Sequence, residues 1–116
     1  MFNQVVIIGN VGKDMETRFV NDTFSVGMFS VATSYSYKKN EEWENKTIWH
    51  SIKIYNPTEY LTRNVTKGAV VAIVGKLEYE EYTNKSGCKK KNAIIVADKV
   101  AIVKKGKEKE SIGGDQ

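Results

Sequence analysis

The chain carries a single cysteine, Cys88, and a single histidine, His50, in 116 residues. One cysteine excludes an internal disulfide and leaves no thiolate cluster for zinc, so no metal site is expected and a reducing compartment fits. One histidine gives a Ser-His-Asp or Cys-His site only one place to stand. Long apolar runs are also missing. The N-terminal stretch MFNQVVIIGN holds only the short run Val5–Ile8 and has no basic segment before it, so neither a signal peptide nor a membrane span is expected. A phosphate-cradling loop is absent too, because GNVG at residues 9–12 lacks the Lys-Ser/Thr and the following helix that such a loop needs.

What remains is the composition of an ordinary folded domain, 41% hydrophobic and 28% charged, with room for one modest core. The net charge of +4 is a mild bias toward anionic partners. No internal repeat is visible. Val5–Ile8 reads as a buried strand, and Thr17–Val20 with Phe24–Thr33 as a hairpin across Asn21-Asp22. Phe24, Val26 and Met28 alternate and are expected in the core. Residues 35–45 are polar and charged and read as a long loop or flexible hairpin tip. A strand over Lys46–Tyr55 follows. The spacing then predicts a helix over 56–68, with Asn56 as cap, Pro57 at the first helical position, Glu59 completing a capping box and Gly68 as terminator. Strand resumes at Ala69, runs past Gly75 to Thr83, turns at Asn84–Gly87 and returns to Val103. A four-residue loop there would set Tyr82 opposite Lys89, Glu81 opposite Lys90 and Glu80 opposite Lys91. Residues 104–116 are charged, Gly-rich and aperiodic, and read as a disordered tail. The expected architecture is mainly all-β: a five-stranded Greek-key OB barrel over residues 1–103, with one short helix between strands three and four and a long closing hairpin arm.

Chemistry is most legible in WHSIKIY, residues 49–55. Successive strand side chains point to opposite faces, so Ile48, His50, Ile52 and Ile54 share one side. Trp49, Ser51, Lys53 and Tyr55 share the other. His50 thus lies on an aliphatic face, away from Trp49 and Lys53, and suits a packing role better than catalysis. Cys88 follows a turn glycine with no base beside it, and the glutamates at 41, 42 and 44 fall in a solvated stretch. No enzyme activity and no cofactor are expected. The aromatic residues point elsewhere. Tyr35 and Tyr37 flank Lys38 and Lys39; Trp49 and Tyr55 flank Lys53; Tyr82 stands near the tip of the closing hairpin. Rings on polar faces, interleaved with lysines, are what single-stranded nucleic acid needs, since bases stack on rings at ~1–3 kcal/mol each while lysines follow the phosphates.

Four stretches sharpen this reading: NQVVIIGNVGKDMETRF, FSVATS, WHSIKIY, and YLTRNVTKGAVVAIVGKL leading into TNKSG. Together they resemble the bacterial-type single-stranded DNA-binding proteins, a homotetrameric OB-fold family, across residues 3–103. The resemblance implies sequence-independent binding of single-stranded DNA in replication, recombination and repair, in the cytoplasm and with the nucleoid. It places base-stacking positions on Tyr37, Trp49, Tyr55 and Tyr82 and phosphate-contacting positions on Lys38 and Lys67, to which face parity adds Lys39 and Lys53. It implies a subunit-interface role for His50. Two other readings stay open: an assembly module similar to the primosomal replication protein N family, and an RNA-binding OB module. Three features depart from the family pattern. Met15 stands where proline is usual, read here as a minor change in a turn. Glu78, Glu80 and Glu81 occupy an arm that is commonly basic. The last residues, GGDQ, lack the acidic, Phe-ended tip through which bacterial members recruit replication and repair proteins, so the chain is expected to be a truncated piece or a phage, plasmid or accessory form.

Overall fold

A computed structural model describes residues 1–106. Six strands and one helix follow in the order β1 (Val5–Val11), β2 (Glu16–Asn21), β3 (Phe24–Lys39), β4 (Glu42–Tyr55), α1 (Glu59–Asn64), β5 (Val70–Thr83) and β6 (Lys89–Lys104). The sheet order is β1-β5-β6-β4-β3-β2, and a further pairing of β1 with β3 closes a ring of five strands. β2 continues along the edge of β3 beyond that closing point, from Glu16 opposite Met28 to Asn21 opposite Phe24. Every pairing is antiparallel except β4–β6, a short parallel seam at Ile52–Ile95 and Lys53–Val96. This is the expected OB barrel, with its first strand broken into β1 and β2.

Inside the ring lie Ile7, Val11, Phe29, Val31, Ile52, Ile54, Val71, Ile73 and Ile95. The core face of β3 is the opposite one from that expected. Ser25, Gly27, Phe29 and Val31 are buried, whereas Phe24, Val26 and Met28 are half-buried on the outside. Met15 is no simple turn residue. It is buried at 2% exposure, fills the barrel end beside Gly27, and its N–H donates to the Val65 carbonyl at 2.9 Å.

The helix is shorter than expected. Thr58 caps it, its hydroxyl accepting from the Leu61 N–H at 3.1 Å. Asn56 is held outside the helix at φ 51°, with its side-chain oxygen accepting from the Ser25 N–H and its own N–H donating to the Ser25 carbonyl. It ties β3 instead of capping α1. Leu61 and Val65 close the end of the barrel, and the chain beyond them bonds back to β1 through Val11 and Gly68. At the other end of β5, the Asn3 amide donates to the Leu77 carbonyl and accepts from its N–H, continuing the β1–β5 ladder past Val5. β6 ends at Lys104, and Gly106 still packs against Lys67–Ala69; the remainder of the expected tail lies outside the described residues.

The largest difference lies in the stretch expected as a long loop or flexible hairpin tip, of which the hairpin holds and the loop does not. Residues 35–45 are almost wholly strand, β3 pairing with β4 without interruption to Lys39 opposite Glu42. The turn is the two residues Asn40 and Glu41, both left-handed at φ 52° and 68°. Paired left-handed residues make the turn that matches the twist of a hairpin, and the second position strongly favours glycine. Glu41→Gly should therefore stabilise the arm by about 1 kcal/mol. Slower amide exchange across residues 34–47 is the expected result; unchanged exchange would mean that Glu41 carries no backbone strain.

Candidate nucleic-acid interface

Burial of Ile52 and Ile54 turns Lys53 and Tyr55 outward, and the same alternation carries Ser51 and Trp49 to that side. Cross-strand pairing adds residues of β3 to this face: Val26 lies opposite Tyr55, Met28 opposite Lys53, Ser30 opposite Ser51 and Ala32 opposite Trp49. Trp49 is 59% exposed, yet it is not loose. Its ring lies over Gly12, where an added Cβ would sit 2.9 Å from Cη2 and 3.0 Å from the Ser30 hydroxyl. Only glycine allows the ring so close. Tyr55 is seated against Phe24, with ring centroids 5.6 Å apart and planes at 31°. Both rings are thus held from one side and open to solvent on the other.

The third ring comes from the closing arm. Asn84–Cys88 form a five-residue loop, closed by the Asn84 N–H to the Cys88 carbonyl at 2.9 Å, and by the Asn84 side chain accepting from Ser86 and Cys88 at 3.0 Å. One more loop residue than expected moves the register by one. Tyr82 faces Lys90, Glu81 faces Lys91 and Glu80 faces Asn92. Glu81 keeps a lysine opposite, but Glu80 does not. Instead its carboxylate forms an ion pair with Lys53, joining the arm's base to the barrel face. The Glu80 carboxylate holds the Lys53 ammonium above its ordinary value. Tyr82 follows Glu80 on the same side of the arm and is exposed. A groove from Lys13 and Asp14 past Ser30 and Ser51 to Glu80 and Asn92 connects the barrel face with the arm.

The remaining expected residues fall in different places. Lys67 is exposed beside Lys13 at the β1–β2 junction, where its N–H donates to Asp14 at 2.9 Å. Lys38 lies on the Trp49 side of the β3–β4 ribbon. Tyr37 and Lys39 lie on the other side, with His50. There the Tyr37 hydroxyl donates to Glu44 at 3.0 Å, which raises its phenol above the usual range, and Lys39 faces Glu42. His50 is half-buried and shares a hydrogen bond of 2.8 Å with the Thr33 hydroxyl. Sequence reasoning missed Lys13 and Arg18. Lys13 directly follows Gly12, the seat of Trp49, and Arg18 faces out across Val26 toward Tyr55. Alternation along Glu16–Arg18 carried the second signal. Among the described residues, no group of three or more His, Cys, Asp or Glu side chains comes together to hold a metal.

The model of the single-strand binding protein family matches residues 2–103. The chain belongs to that family. A mitochondrial single-stranded DNA-binding protein of Danio rerio is 31% identical over 110 residues, covering 87% of this chain and 75% of that protein. A single-stranded DNA-binding protein of Neisseria meningitidis is 32% identical over 114 residues, covering 97% of this chain and 64% of its own length. Among solved structures, a Plasmodium falciparum SSB in complex with ssDNA superposes with a TM-score of 0.78 at 25% identity, covering 90% of this chain and 95% of that one. These family members are binding proteins by name, in keeping with a face built for contact.

Glu80 places a negative charge on this face and occupies Lys53. Glu80→Gln should free that lysine and steepen the salt dependence of binding, by about 0.7 in the slope of log K against log salt for one added phosphate contact. A wild-type slope in the variant would show that Lys53 stays off the DNA path.

Proposed function

We propose that this chain binds single-stranded DNA without sequence preference, stacking bases on Trp49, Tyr55 and Tyr82 while Lys13, Lys38 and Lys67 neutralise phosphates. The observation that carries this reading is the seating of Trp49 over Gly12 and of Tyr55 over Phe24 on the side of β3–β4 away from the core. Rings held in place and open on one side lose little freedom when a base stacks on them. The binding unit is residues 1–103, and its work belongs to DNA replication, recombination and repair. Chemistry on the strand is no part of it. The one cysteine, Cys88, is free and exposed, which suits the cytoplasm and nucleoid. No helix among the described residues is long and apolar enough to cross a membrane.

The working form is a homotetramer. Val6 and Ile8 of β1 and Val103 of β6 are exposed on the outside of the β1–β5–β6 sheet, flanking half-buried Val70, Ala72 and Val74. Contiguous apolar surface of this kind marks contact between chains. The side of the β3–β4 ribbon that carries His50 also exposes Ile48 and Tyr35, which supports a second contact there.

Titration of tryptophan fluorescence with poly(dT) at two salt concentrations tests the reading. Saturable quenching that weakens with salt is expected. No quenching would favour a protein-assembly module, and equal affinity for poly(U) an RNA-binding one. Trp49→Ala should weaken binding by about 1–3 kcal/mol and leave the circular dichroism spectrum unchanged. Unfolding of that variant would place the ring in a structural role.

For the tetramer, His50→Glu should promote dissociation on size-exclusion chromatography at low concentration, because a carboxylate would enter an apolar contact. An intact tetramer with impaired DNA binding would remove His50 from the interface.

A further inference from the structure

The β3–β4 arm has two chemically different sides. One carries Tyr37 with Glu44, Lys39 with Glu42, and Lys46, so both strand carboxylates of the arm are there. The side continuous with Trp49 carries none. Outward from Trp49 it presents Ser34 opposite Thr47, then Ser36 opposite Asn45, then Lys38 opposite Trp43. The two inner pairs are bonded to each other, Ser34 to Thr47 at 3.0 Å and Ser36 to Asn45 at 2.6 Å, which keeps the surface between the tryptophans low and small. Trp43 stands at the far end, 71% exposed, with a lysine as its cross-strand neighbour. A soluble hairpin has no structural use for an indole there, since it covers no core.

We infer that Trp43 is a further base-stacking residue and that, with Lys38, it carries the single strand outward along the arm on the Trp49 side, away from Tyr37. The inference rests on the single-strand reading above and extends its path. The two indoles are about 20 Å apart along β4 at the usual strand rise, far enough for separate bases to occupy them. The track between them carries one positive and no negative side chain, whereas a strand passing Tyr37 would meet Glu42 and Glu44. Tyr37 already donates its hydroxyl to Glu44.

The chain has only two tryptophans, so each can be watched alone. Trp49→Phe leaves Trp43 as the sole reporter, and Trp43→Phe leaves Trp49. Titrated with poly(dT) at low salt, both variants should show saturable quenching. Quenching of Trp49 with no change at Trp43 would overturn the inference and leave the single-strand reading intact. Absence of quenching in both would overturn the two together. In affinity, Trp43→Ala should lose about fivefold or more, the lower bound for one lost stack, and Tyr37→Ala should lose less. A larger loss for Tyr37→Ala would put the strand on the other side of the arm.

Discussion

Ile52 and Ile54 enter the barrel, and because strand side chains leave alternately to opposite sides, their burial decides where Trp49, Lys53 and Tyr55 must go. A slip of one residue in β4 would bury the rings and expose the isoleucines, so core packing and the exposed aromatic face are specified by one register. The same alternation extends through the β3 ladder and out along the arm. It sorts Trp43 and Lys38 from Tyr37 and Glu44 without any further device.

Electrostatics on this face is local. The net charge of +4 is modest, and neighbouring carboxylates decide how much of it is felt on this face. Lys53 stands between Trp49 and Tyr55 in sequence, yet Glu80 claims it. In the two arms glutamates and lysines face one another across strands, at Glu81–Lys91 in β5–β6 and at Glu42–Lys39 in β3–β4. Such pairs fix register at a modest gain of about 0.2–1 kcal/mol. They also cancel part of the positive charge that the lysine count suggests.

Much of this was legible in the sequence, for reasons that can be named. The faces of β4 were plain because three isoleucines and His50 alternate with Trp49, Ser51, Lys53 and Tyr55. The OB barrel followed from the order of the elements, with the lone helix between the third and fourth long strands. β3 misled because its buried side begins with Ser25 and Gly27, which carry little hydrophobic signal, while Phe24 and Met28 outside look like core. The arm was hidden by its polarity, although Ser-Tyr-Ser-Tyr over residues 34–37 has the period of a strand. Asn56 has every local mark of a helix cap, and only the distant Ser25 backbone explains why Thr58 takes that role. Glu80 with Lys53 was equally invisible, since the pair joins elements that the chain separates widely.

The parallel seam between β4 and β6 is only two residue pairs long, Ile52–Ile95 and Lys53–Val96. The two long ribbons it joins, β3–β4 and β5–β6, each consist of neighbours in the chain and close through short turns. Loop-closure entropy therefore favours the ribbons forming first and meeting late, with the seam among the last contacts made. Until it closes, each ribbon presents unpaired backbone along a strand edge. That interval is when the nascent chain is most exposed to pairing with another copy of itself.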